Sequence, residues 1–381
     1  MLEILFERGP VTRVEVSQIA GLSKPTVNSL VRGLVDSGLL RKDGKTLGRV
    51  GRSAQVYALD DRSRLVAGVD LGGTKVRVAI ANLLGEVIVE TMEPTDLAGG
   101  RQVLDQIVRT CHDVARRASL DWELVDTIGI SAPGVLDPAT DRVDLAFNIP
   151  GFDELHLRRD LESRLGREVM VDNDVNLAAL GEQWKGLAAH TKNFVFLAIG
   201  TGIGMGLVVD GRLVHGHRGA AGEIGFMPIG GDPLADPALR RRGALEELAA
   251  KDGVIAIHQR LLASKSGPTS RRPSSVAEIY AAAGDGDALA LQTIEEQARL
   301  IALAAMAVTS VVDPEMFVLG GGIGSNPLLL QPVRRFLGEL APFEVRVETS
   351  ALGDRTSILG ALALALGRTK EKIFARSDID G

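Results

Sequence analysis

The pattern of apolar and polar residues over the first sixty positions predicts two short helices joined by a tight turn. Thr12 and Glu15 have the spacing of a capping box, in which a hydroxyl and a carboxylate satisfy the first free amides of a helix. Ser23 is placed to cap the second helix, and Pro25 is tolerated in its first turn. Apolar residues of the second helix recur at helical spacing and predict one buried stripe, which consists of Val27, Leu30, Val31 and Leu34.

The opposite face of the second helix is polar, and two predicted strands follow it. Leu39–Lys42 and Gln55–Leu59 have strand patterns, and the turn between them carries Arg49 and Arg52. A helix, a turn, a second helix and a basic hairpin form, in this order, a winged helix-turn-helix, whose second helix enters the major groove of DNA. The residues expected to contact DNA are Lys24, Pro25, Thr26, Asn28, Ser29, Arg32, Arg49 and Arg52.

Beyond residue 60, apolar strands alternate with glycine-rich turns. Leu65–Ile80 predicts a strand, a glycine turn and a second strand. The strand Phe194–Ile199 leads into the glycine-rich turn Gly200–Gly206, after which the strand Leu207–Asp210 follows. A third glycine cluster comes directly after the apolar strand Met316–Leu319.

These glycines allow backbone amides to approach a phosphate closely, although a tight β-turn alone requires the same residues. Two glycine hairpins in one chain indicate a duplicated α/β fold. We therefore expect the two-lobed ATPase fold of the actin and hexokinase type, with a nucleotide between the lobes and its adenosine on the third cluster. The expected nucleotide-binding residues are Asp70, Gly72, Gly73, Thr74, Lys75, Gly200, Thr201, Gly202, Gly204, Gly320, Gly321 and Gly322.

A run of carboxylates and amides, Asp172–Asn176, separates a predicted strand (Arg167–Val171) from a predicted helix (Leu177–Trp184). An aspartate here, Asp174, is suited to take a proton from a sugar hydroxyl as that hydroxyl attacks a γ-phosphate. The alternative is structural, because aspartate also caps many helices. From this run alone, the helix cap is the favoured role.

Charge and cysteine content narrow the choice of partners. Residues 1–60 contain nine Lys and Arg against six Asp and Glu, whereas the whole chain has a net charge of −6. A basic head on an acidic body favours contact of the head alone with a polyanion. The single cysteine, Cys111, excludes an internal disulfide and a multi-cysteine metal site. Because we find neither a membrane-spanning apolar run nor a secretory leader, we expect a cytoplasmic protein without a membrane partner.

The length and the patterns together predict a division into a head and two lobes. Residues 1–60 form the winged helix-turn-helix. Residues 61–180, joined by a C-terminal helix over about residues 355–370, form the first α/β lobe. Residues 181–354 form the second and larger lobe.

In their order along the chain, these motifs resemble those of the ROK family of repressors and sugar kinases, and in particular its regulators with an N-terminal winged helix. The resemblance covers nearly the whole chain and rests on Asp70–Lys75, Gly129–Val135, Asn148–Phe152, Asn173–Asn176, Gly200–Gly206, Ala221–Gly225, Leu245–Glu246, Asp313–Glu315, Gly320–Gly322 and Leu359–Ala361. It implies a sugar pocket lined by Asn148, Asn173, Asp174, Glu223 and Glu246, with Asp174 as the base in a kinase member. It also implies a homodimer or homotetramer, which would place two heads on a pseudo-palindromic operator.

The chain departs from the family pattern at its metal site. Members of the family usually follow Gly-Glu-x-Gly with a histidine that binds zinc and contacts the sugar, and this position is Phe226 here. Three cysteines usually precede the Leu-Glu pair, whereas Asp236–Glu246 contains neither cysteine nor histidine. We therefore expect no zinc and no other bound metal at this site. Phe226 also removes one partner of a sugar hydroxyl, so the effector need not be glucose or an N-acetyl sugar.

The leading hypothesis is a sugar-responsive, DNA-binding transcriptional repressor that requires no cofactor. The rival hypothesis is an ATP-dependent sugar kinase that retains the head, in which case ATP and Mg²⁺ would be required. The complete glycine loops and Asp174 favour the rival, whereas the lost histidine and the lost zinc site count against it. A third hypothesis is a regulator that binds ATP without turnover.

We predict that protein purified without an affinity tag contains no stoichiometric zinc. Neither Phe226 nor residues 236–246 offer a thiol or an imidazole, which are the ligands that structural zinc prefers. Elemental analysis of the purified protein measures the metal content directly. One zinc ion per chain would show that the metal ligands lie elsewhere in the sequence.

Overall fold

A computed structural model of the chain describes residues 1–46, 53–137, 140, 142–144, 149–264 and 273–379. The chain divides into two compact units. The first unit comprises Met1–Ile130, Arg158–Met170 and Leu362–Gly381, and the second comprises Ser131–Leu157 and Val171–Ala361. The domain limits expected near residues 60, 180 and 354 stay predictions.

The N-terminal head is a helix-turn-helix with an antiparallel sheet. Its elements are α1 (Leu2–Arg8), β1 (Val11–Thr12), α2 (Arg13–Ala20), α3 (Lys24–Asp36), β2 (Leu40–Lys45) and β3 (Gln55–Leu59). The strands pair in the order β1-β3-β2. Thr12 Oγ1 accepts from the Glu15 amide at 3.3 Å, and the Glu15 carboxylate accepts from the Thr12 amide at 2.7 Å. The predicted capping box at the start of α2 is therefore confirmed.

Helix α3 has the two faces that its sequence predicts. The Ser23 hydroxyl accepts from the Thr26 amide at 3.3 Å and so caps the helix. Val27, Val31 and Leu34 are buried, and Leu30 is partly buried beside them. This stripe packs α3 into the head and leaves its polar face exposed to solvent.

The sheet of the first unit has the strand order β10-β7-β4-β5-β6. Its strands are β4 (Leu65–Leu71), β5 (Lys75–Asn82), β6 (Val87–Pro94), β7 (Val125–Ala132) and β10 (Glu168–Asn173), and the accompanying helices are α4 (Gly100–Arg117) and α5 (Leu157–Leu165). A small ladder pairs β8 (Val135–Asp137) with β9 (Arg142–Asp144). Cys111 is fully buried on α4, and this burial raises the pKa of its thiol to about 12.

The sheet of the second unit has the strand order β13-β12-β11-β14-β15, in which β14 is parallel to both of its neighbours. Its strands are β11 (Phe194–Ile199), β12 (Ile203–Val209), β13 (Arg212–Leu213), β14 (Met316–Gly320) and β15 (Val347–Thr349). The helices of the second unit are α6 (Asp174–Lys185), α7 (Pro237–Arg242), α8 (Ala244–Ala249), α9 (Lys251–Ala263), α10 (Val276–Gly284), α11 (Ala288–Val312), α12 (Gly321–Gly324) and α13 (Pro327–Leu340). Each unit thus contains an antiparallel strand pair joined at a glycine turn, β4 with β5 and β11 with β12. The predicted duplicated α/β fold is confirmed.

The strand after the second glycine turn begins earlier than its sequence suggested. Strand β12 starts at Ile203, so Gly204 and Gly206 lie within the strand and not in the turn. A Cβ atom at Gly206 would lie only 2.6 Å from the Cβ of Ala179 on α6. These glycines are required because the helix packs directly on the strand backbone.

The C-terminal helix α14 (Thr356–Ile379) contacts α6 near its start and the head near its end. A Cβ atom at Gly360 would lie 1.7 Å from the carbonyl oxygen of Leu177 on α6. Further along α14, the Phe374 ring packs edge-on against Phe6 of α1, with 6.1 Å between the ring centroids. The Lys370 ammonium lies 4.5 Å from the centroid of the same Phe6 ring. No helix within the described ranges has the length and apolar character needed to cross a membrane.

Candidate functional site

Two neighbouring side chains at the junction of β10 and α6 contact the first turn of the helix: Asn173, and Asp174, whose Oδ1 accepts from the Val175 amide at 2.9 Å. Asn173 caps the helix: its Oδ1 accepts from the amides of Val175 at 2.9 Å and Asn176 at 3.2 Å, and its Nδ2 donates to the Gly134 carbonyl at 2.8 Å. The predicted helix start at residue 177 was therefore wrong, because this cap begins the helix at Asp174. As the first helical residue, Asp174 lies where the helix dipole favours a negative charge.

Asp172 precedes the cap and contacts a histidine that sequence analysis did not identify. One carboxylate oxygen, Oδ1, accepts from the Asn173 amide at 2.7 Å and from Asn176 Nδ2 at 3.0 Å. The other, Oδ2, lies 2.7 Å from His215 Nε2. No local pattern in the sequence connects residues so far apart, since the contact depends on the tertiary fold.

Glu223 is positioned by a close approach of two backbone segments. Gly222 has a φ of 99°, and its carbonyl accepts from the Met205 amide on β12 at 2.9 Å. A Cβ atom at Gly222 would lie 1.9 Å from the Met205 carbonyl oxygen. Only glycine fits this position, and its close contact with Met205 fixes the backbone from which the neighbouring Glu223 side chain extends.

Glu246 lies in the first turn of α8, against the turn between β11 and β12. Its Oε2 accepts from the Ile203 amide at 3.1 Å. A Cβ atom at Gly202 would lie 2.6 Å from the same carboxylate oxygen. The glycine turn therefore makes room for this carboxylate, whatever ligand it binds.

The carboxylates of Glu223 and Glu246 form a half-buried acidic pair. Burial raises the pKa of Glu223, and the neighbouring charge of Glu246 raises it further. Burial also raises the pKa of Glu246, against the opposing effects of the Ile203 amide and the Arg242 charge. Carboxylates that are partly removed from water are well suited to accept hydrogen bonds from sugar hydroxyls.

The second and third glycine clusters lie next to each other within the second unit. The Gly200 amide donates to the Gly202 carbonyl at 2.9 Å and closes a tight turn that contains Thr201. A Cβ atom at Gly200 would lie 3.7 Å from the Gly322 amide nitrogen, at the start of α12. Gly321 has a φ of 80° and a Cβ atom there would clash with Ile199. These two glycine-rich backbone segments lie close together, with Thr201 between Gly200 and Gly202, and are of the kind that a phosphate can approach.

The first glycine loop forms a closed turn within the first unit. Between Asp70 near the end of β4 and Lys75 at the start of β5, the Gly72 amide donates to the Lys75 carbonyl at 2.9 Å. Thr95 holds the loop from the side: its hydroxyl donates to the Gly72 carbonyl at 2.7 Å and its amide donates to the Thr74 carbonyl at 3.1 Å. Gly73 lies at the tip of this turn.

The predicted DNA-contacting residues of α3 all lie on its exposed face. They are Lys24, Pro25, Thr26, Asn28, Ser29 and Arg32. The Thr26 hydroxyl lies 2.8 Å from the Ser23 hydroxyl, so it also takes part in the helix cap. Arg49, Arg52 and the predicted sugar ligand Asn148 lie outside the described residues.

The donor set at the family's metal position does not fit zinc. Phe226 is 44% exposed, and Asp236 accepts from the Ala238 amide at 2.8 Å as the cap of α7. Across the described ranges, no cluster of three or more His, Cys, Asp or Glu side chains is suited to a metal ion. The absence of zinc stays a prediction.

Two sequence profiles match different parts of the chain. The profile of the ROK family matches residues 66–368. The chain belongs to the ROK family. The profile of the IclR helix-turn-helix domain matches residues 2–44, which contain α1, α2 and α3.

Individual ROK proteins resemble the chain over different lengths. It is 26% identical over 378 residues to a putative xylose repressor of Caldicellulosiruptor sp. strain Rt8B.4, which covers 96% of this chain and 94% of that protein. It is 30% identical over 321 residues to a glucokinase of Halalkalibacterium halodurans, which covers 78% of this chain and 93% of the kinase. The solved structure of a ROK family transcriptional regulator, a homologue of the E. coli MLC protein, has a TM-score of 0.81 at 24% identity and covers 100% of this chain and 97% of its own. This likeness confirms the expected fold, a helix-turn-helix head followed by a kinase-like α/β body.

The acidic pair leads to a prediction about stability. Because the folded protein raises the pKa of Glu223 above the ordinary carboxyl value of 4.5, it binds a proton more tightly than the unfolded chain does. The free energy of unfolding therefore falls as pH rises from 4.5 through the raised value. Glu223→Gln removes this penalty, so we expect its melting temperature at neutral pH to exceed that of the wild type by a few degrees.

Thermal melting between pH 4.5 and pH 8 tests this, and the difference should shrink towards the acidic end. Glu344→Gln, a change at an exposed position of the same unit, is the matched control and should follow the wild type. A Glu223→Gln protein that is less stable than the wild type at neutral pH would contradict the repulsive pair.

Proposed function

We propose that the chain is a transcriptional repressor whose affinity for DNA changes when its ROK body binds a sugar. The observation that carries this proposal is the combination, in one chain, of an exposed polar face on α3 and a half-buried acidic pair in the body. The relative named as a putative xylose repressor has nearly the same length and matches both parts. A sugar kinase alone has no use for the head.

The effector we propose is a monosaccharide with neighbouring hydroxyls. Glu223 and Glu246 would accept hydrogen bonds from adjacent hydroxyls, and Asp174 would accept from a third. Asn173 already uses its side-chain oxygen in the helix cap and donates from its side-chain nitrogen to the Gly134 carbonyl, so its contribution would be to fix the direction of Asp174. Asn148 completes the set carried over from the family. D-xylose and D-glucose are the first sugars to test, since related proteins are named for them.

The response to the sugar is expected to depend on conformation. A sugar that binds one conformation of the body better than another shifts the protein towards that conformation, and DNA binding changes only if the two conformations differ in their affinity for the operator. We further propose that two copies of the chain associate, so that two heads contact the half-sites of a pseudo-palindromic operator.

A sugar kinase is the second candidate function. The glycine turns at residues 200–202 and 320–322 bring backbone segments close together, as a nucleotide site requires. Asn173 caps α6, and Asp174 Oδ1 accepts from the Val175 amide at 2.9 Å. With ATP and Mg²⁺ bound, Asp174 would accept the proton of the attacking sugar hydroxyl. The glucokinase relative, at 30% identity, supports this candidate.

The first test of the repressor concerns DNA contact by α3. Asn28→Ala and Arg32→Ala should weaken binding to the operator more than binding to random DNA, because both side chains lie on the exposed face that would reach base edges. Arg49→Ala and Arg52→Ala should weaken binding to all sequences, and each should reduce the salt slope by about 0.9 if it removes one phosphate contact.

Mobility-shift titrations at two salt concentrations measure both effects. Arg101→Ala, which removes the same charge from an exposed position on α4, is the matched control and should bind like the wild type. Equal losses on operator and random DNA for Arg32→Ala would exclude α3 as the recognition helix.

The second test concerns the sugar pocket and separates the two candidate functions. A buried, charge-assisted hydrogen bond contributes about 1.5–3 kcal/mol, so Glu223→Ala should weaken sugar binding about tenfold or more. DNA binding by the sugar-free protein should be unchanged. Asp174→Asn keeps the shape of the side chain but cannot act as a base. In a repressor this variant should still respond to the sugar on DNA, whereas in a kinase it should lose all turnover.

Calorimetry with D-xylose and D-glucose, together with a coupled ATPase assay, measures these outcomes. Glu344→Ala is the control, because it removes an exposed carboxylate of the same unit. Unchanged sugar affinity in Glu223→Ala would place the pocket elsewhere.

A further inference from the structure

His215 and Asp172 form a contact that neither the proposed sugar ligands nor the glycine loops include. The Asp172 side chain is 12% exposed and the His215 side chain is 51% exposed. Both carboxylate oxygens of Asp172 make polar contacts. Oδ1 accepts from the Asn173 amide and from Asn176 Nδ2, and Oδ2 lies 2.7 Å from His215 Nε2. The carboxylate therefore links the start of α6 to the segment that contains His215.

That segment leads directly to Glu223. The Val214 amide donates to the Leu207 carbonyl on β12 at 2.8 Å, and the His215 carbonyl accepts from the Ala221 amide at 3.1 Å. Gly216 has a φ of 73°, as the turn between these points requires. The His215 backbone thus contacts Ala221, which stands two residues before Glu223, and the His215 side chain contacts Asp172.

This contact joins the two chain segments that carry the proposed sugar ligands. Asp172 stands two residues before Asp174, and the loop that His215 closes leads to Glu223. We propose that His215 is a positioning residue for sugar binding, because its hydrogen bond to Asp172 fixes the Asp174 and Glu223 carboxylates relative to each other. This inference rests on the proposed function, since it assigns a role within the same pocket.

Because His215 can gain or lose a charge, the proposed role predicts a pH dependence of sugar binding that a purely structural contact would not produce. The hydrogen bond to Asp172, together with the Asp172 charge, raises the pKa of His215 above the usual 6.5, and burial only partly opposes this. The stabilising contact is therefore complete below pH 6.5 and is lost as pH rises through the raised value. The other charged groups of the proposed pocket are Asp174, Glu223 and Glu246. Protonation of Glu223 and Glu246, whose pKa values are raised, would weaken sugar binding at low pH and so acts in the opposite direction. His217 and Arg218 on the same loop are exposed.

The experiment compares His215→Ala and His215→Gln with His217→Ala, which removes an exposed histidine from the same loop. Affinities for D-xylose and D-glucose are measured by calorimetry at about pH 6 and pH 8, on either side of the usual imidazole pKa of 6.5. We expect His215→Ala to bind about five- to tenfold more weakly than the wild type at the lower pH, a loss that corresponds to about 1–1.4 kcal/mol. His215→Gln, which keeps a neutral donor, should recover part of this loss. Both variants should lack the weakening of binding that the wild type shows between the two pH values, and His217→Ala should keep it.

Hydrogen exchange of the sugar-free protein provides a second measurement that needs no ligand. His215→Ala should accelerate exchange both in the loop at residues 212–223 and at the start of α6, whereas His217→Ala should accelerate neither. Unchanged exchange in both segments, or wild-type affinity and pH dependence in His215→Ala, would overturn the inference. If neither sugar binds the wild type, or if Glu223→Ala binds normally, the proposed sugar pocket fails instead, and the exchange data still decide whether His215 holds the two segments together.

Discussion

The hydrogen bond from the Ile203 amide to Glu246 Oε2 is the contact on which the arrangement of the second unit's site depends. It joins the turn between β11 and β12 to the first turn of α8. Three glycines surround it and leave the space it requires: Gly202 faces the carboxylate, Gly225 approaches the Glu246 side chain, and Gly243 adopts a φ of 94° against the Gly225 carbonyl. A side chain at any of these positions would separate the backbone segments. Because the glycines let three segments meet at one carboxylate, a single residue constrains both the glycine turn and the acidic pair.

The same region departs from the family pattern at the expected zinc position. The segment that carries cysteines in the family is here a short helix, α7, capped by Asp236 through the Ala238 amide. Leu239 of this helix packs so closely on Gly231 that a Cβ atom there would lie 2.5 Å from the leucine side chain. Ala244, which comes directly before the Leu245-Glu246 pair, is only 1% exposed. A helix cap and side-chain packing thus hold this segment, and the absence of zinc stays a prediction.

Features that depend on neighbouring residues were predictable from the sequence, and features that depend on distant ones were not. The helix caps, the apolar stripe of α3 and the strand–turn–strand units follow from short-range spacing. Strand β1 was not predicted, because two residues carry no periodicity and the strand exists only through its pairing of Val11 with Tyr57. The start of α6 was missed because the polar run Asp172–Asn176 hides the cap. The contact between His215 and Asp172 joins residues 43 positions apart, which no window of sequence can reveal.

Coupling between a sugar pocket and a DNA-binding head has a thermodynamic consequence that does not depend on its structural route. If the sugar lowers the affinity for the operator by some factor, the operator must lower the affinity for the sugar by the same factor. Burial and the neighbouring charge of Glu246 disfavour the ionised form of Glu223, so a sugar hydroxyl that donates to Glu223 in the proposed pocket would relieve part of that cost. An effector acts on the head only if such a gain differs between two conformations of the body.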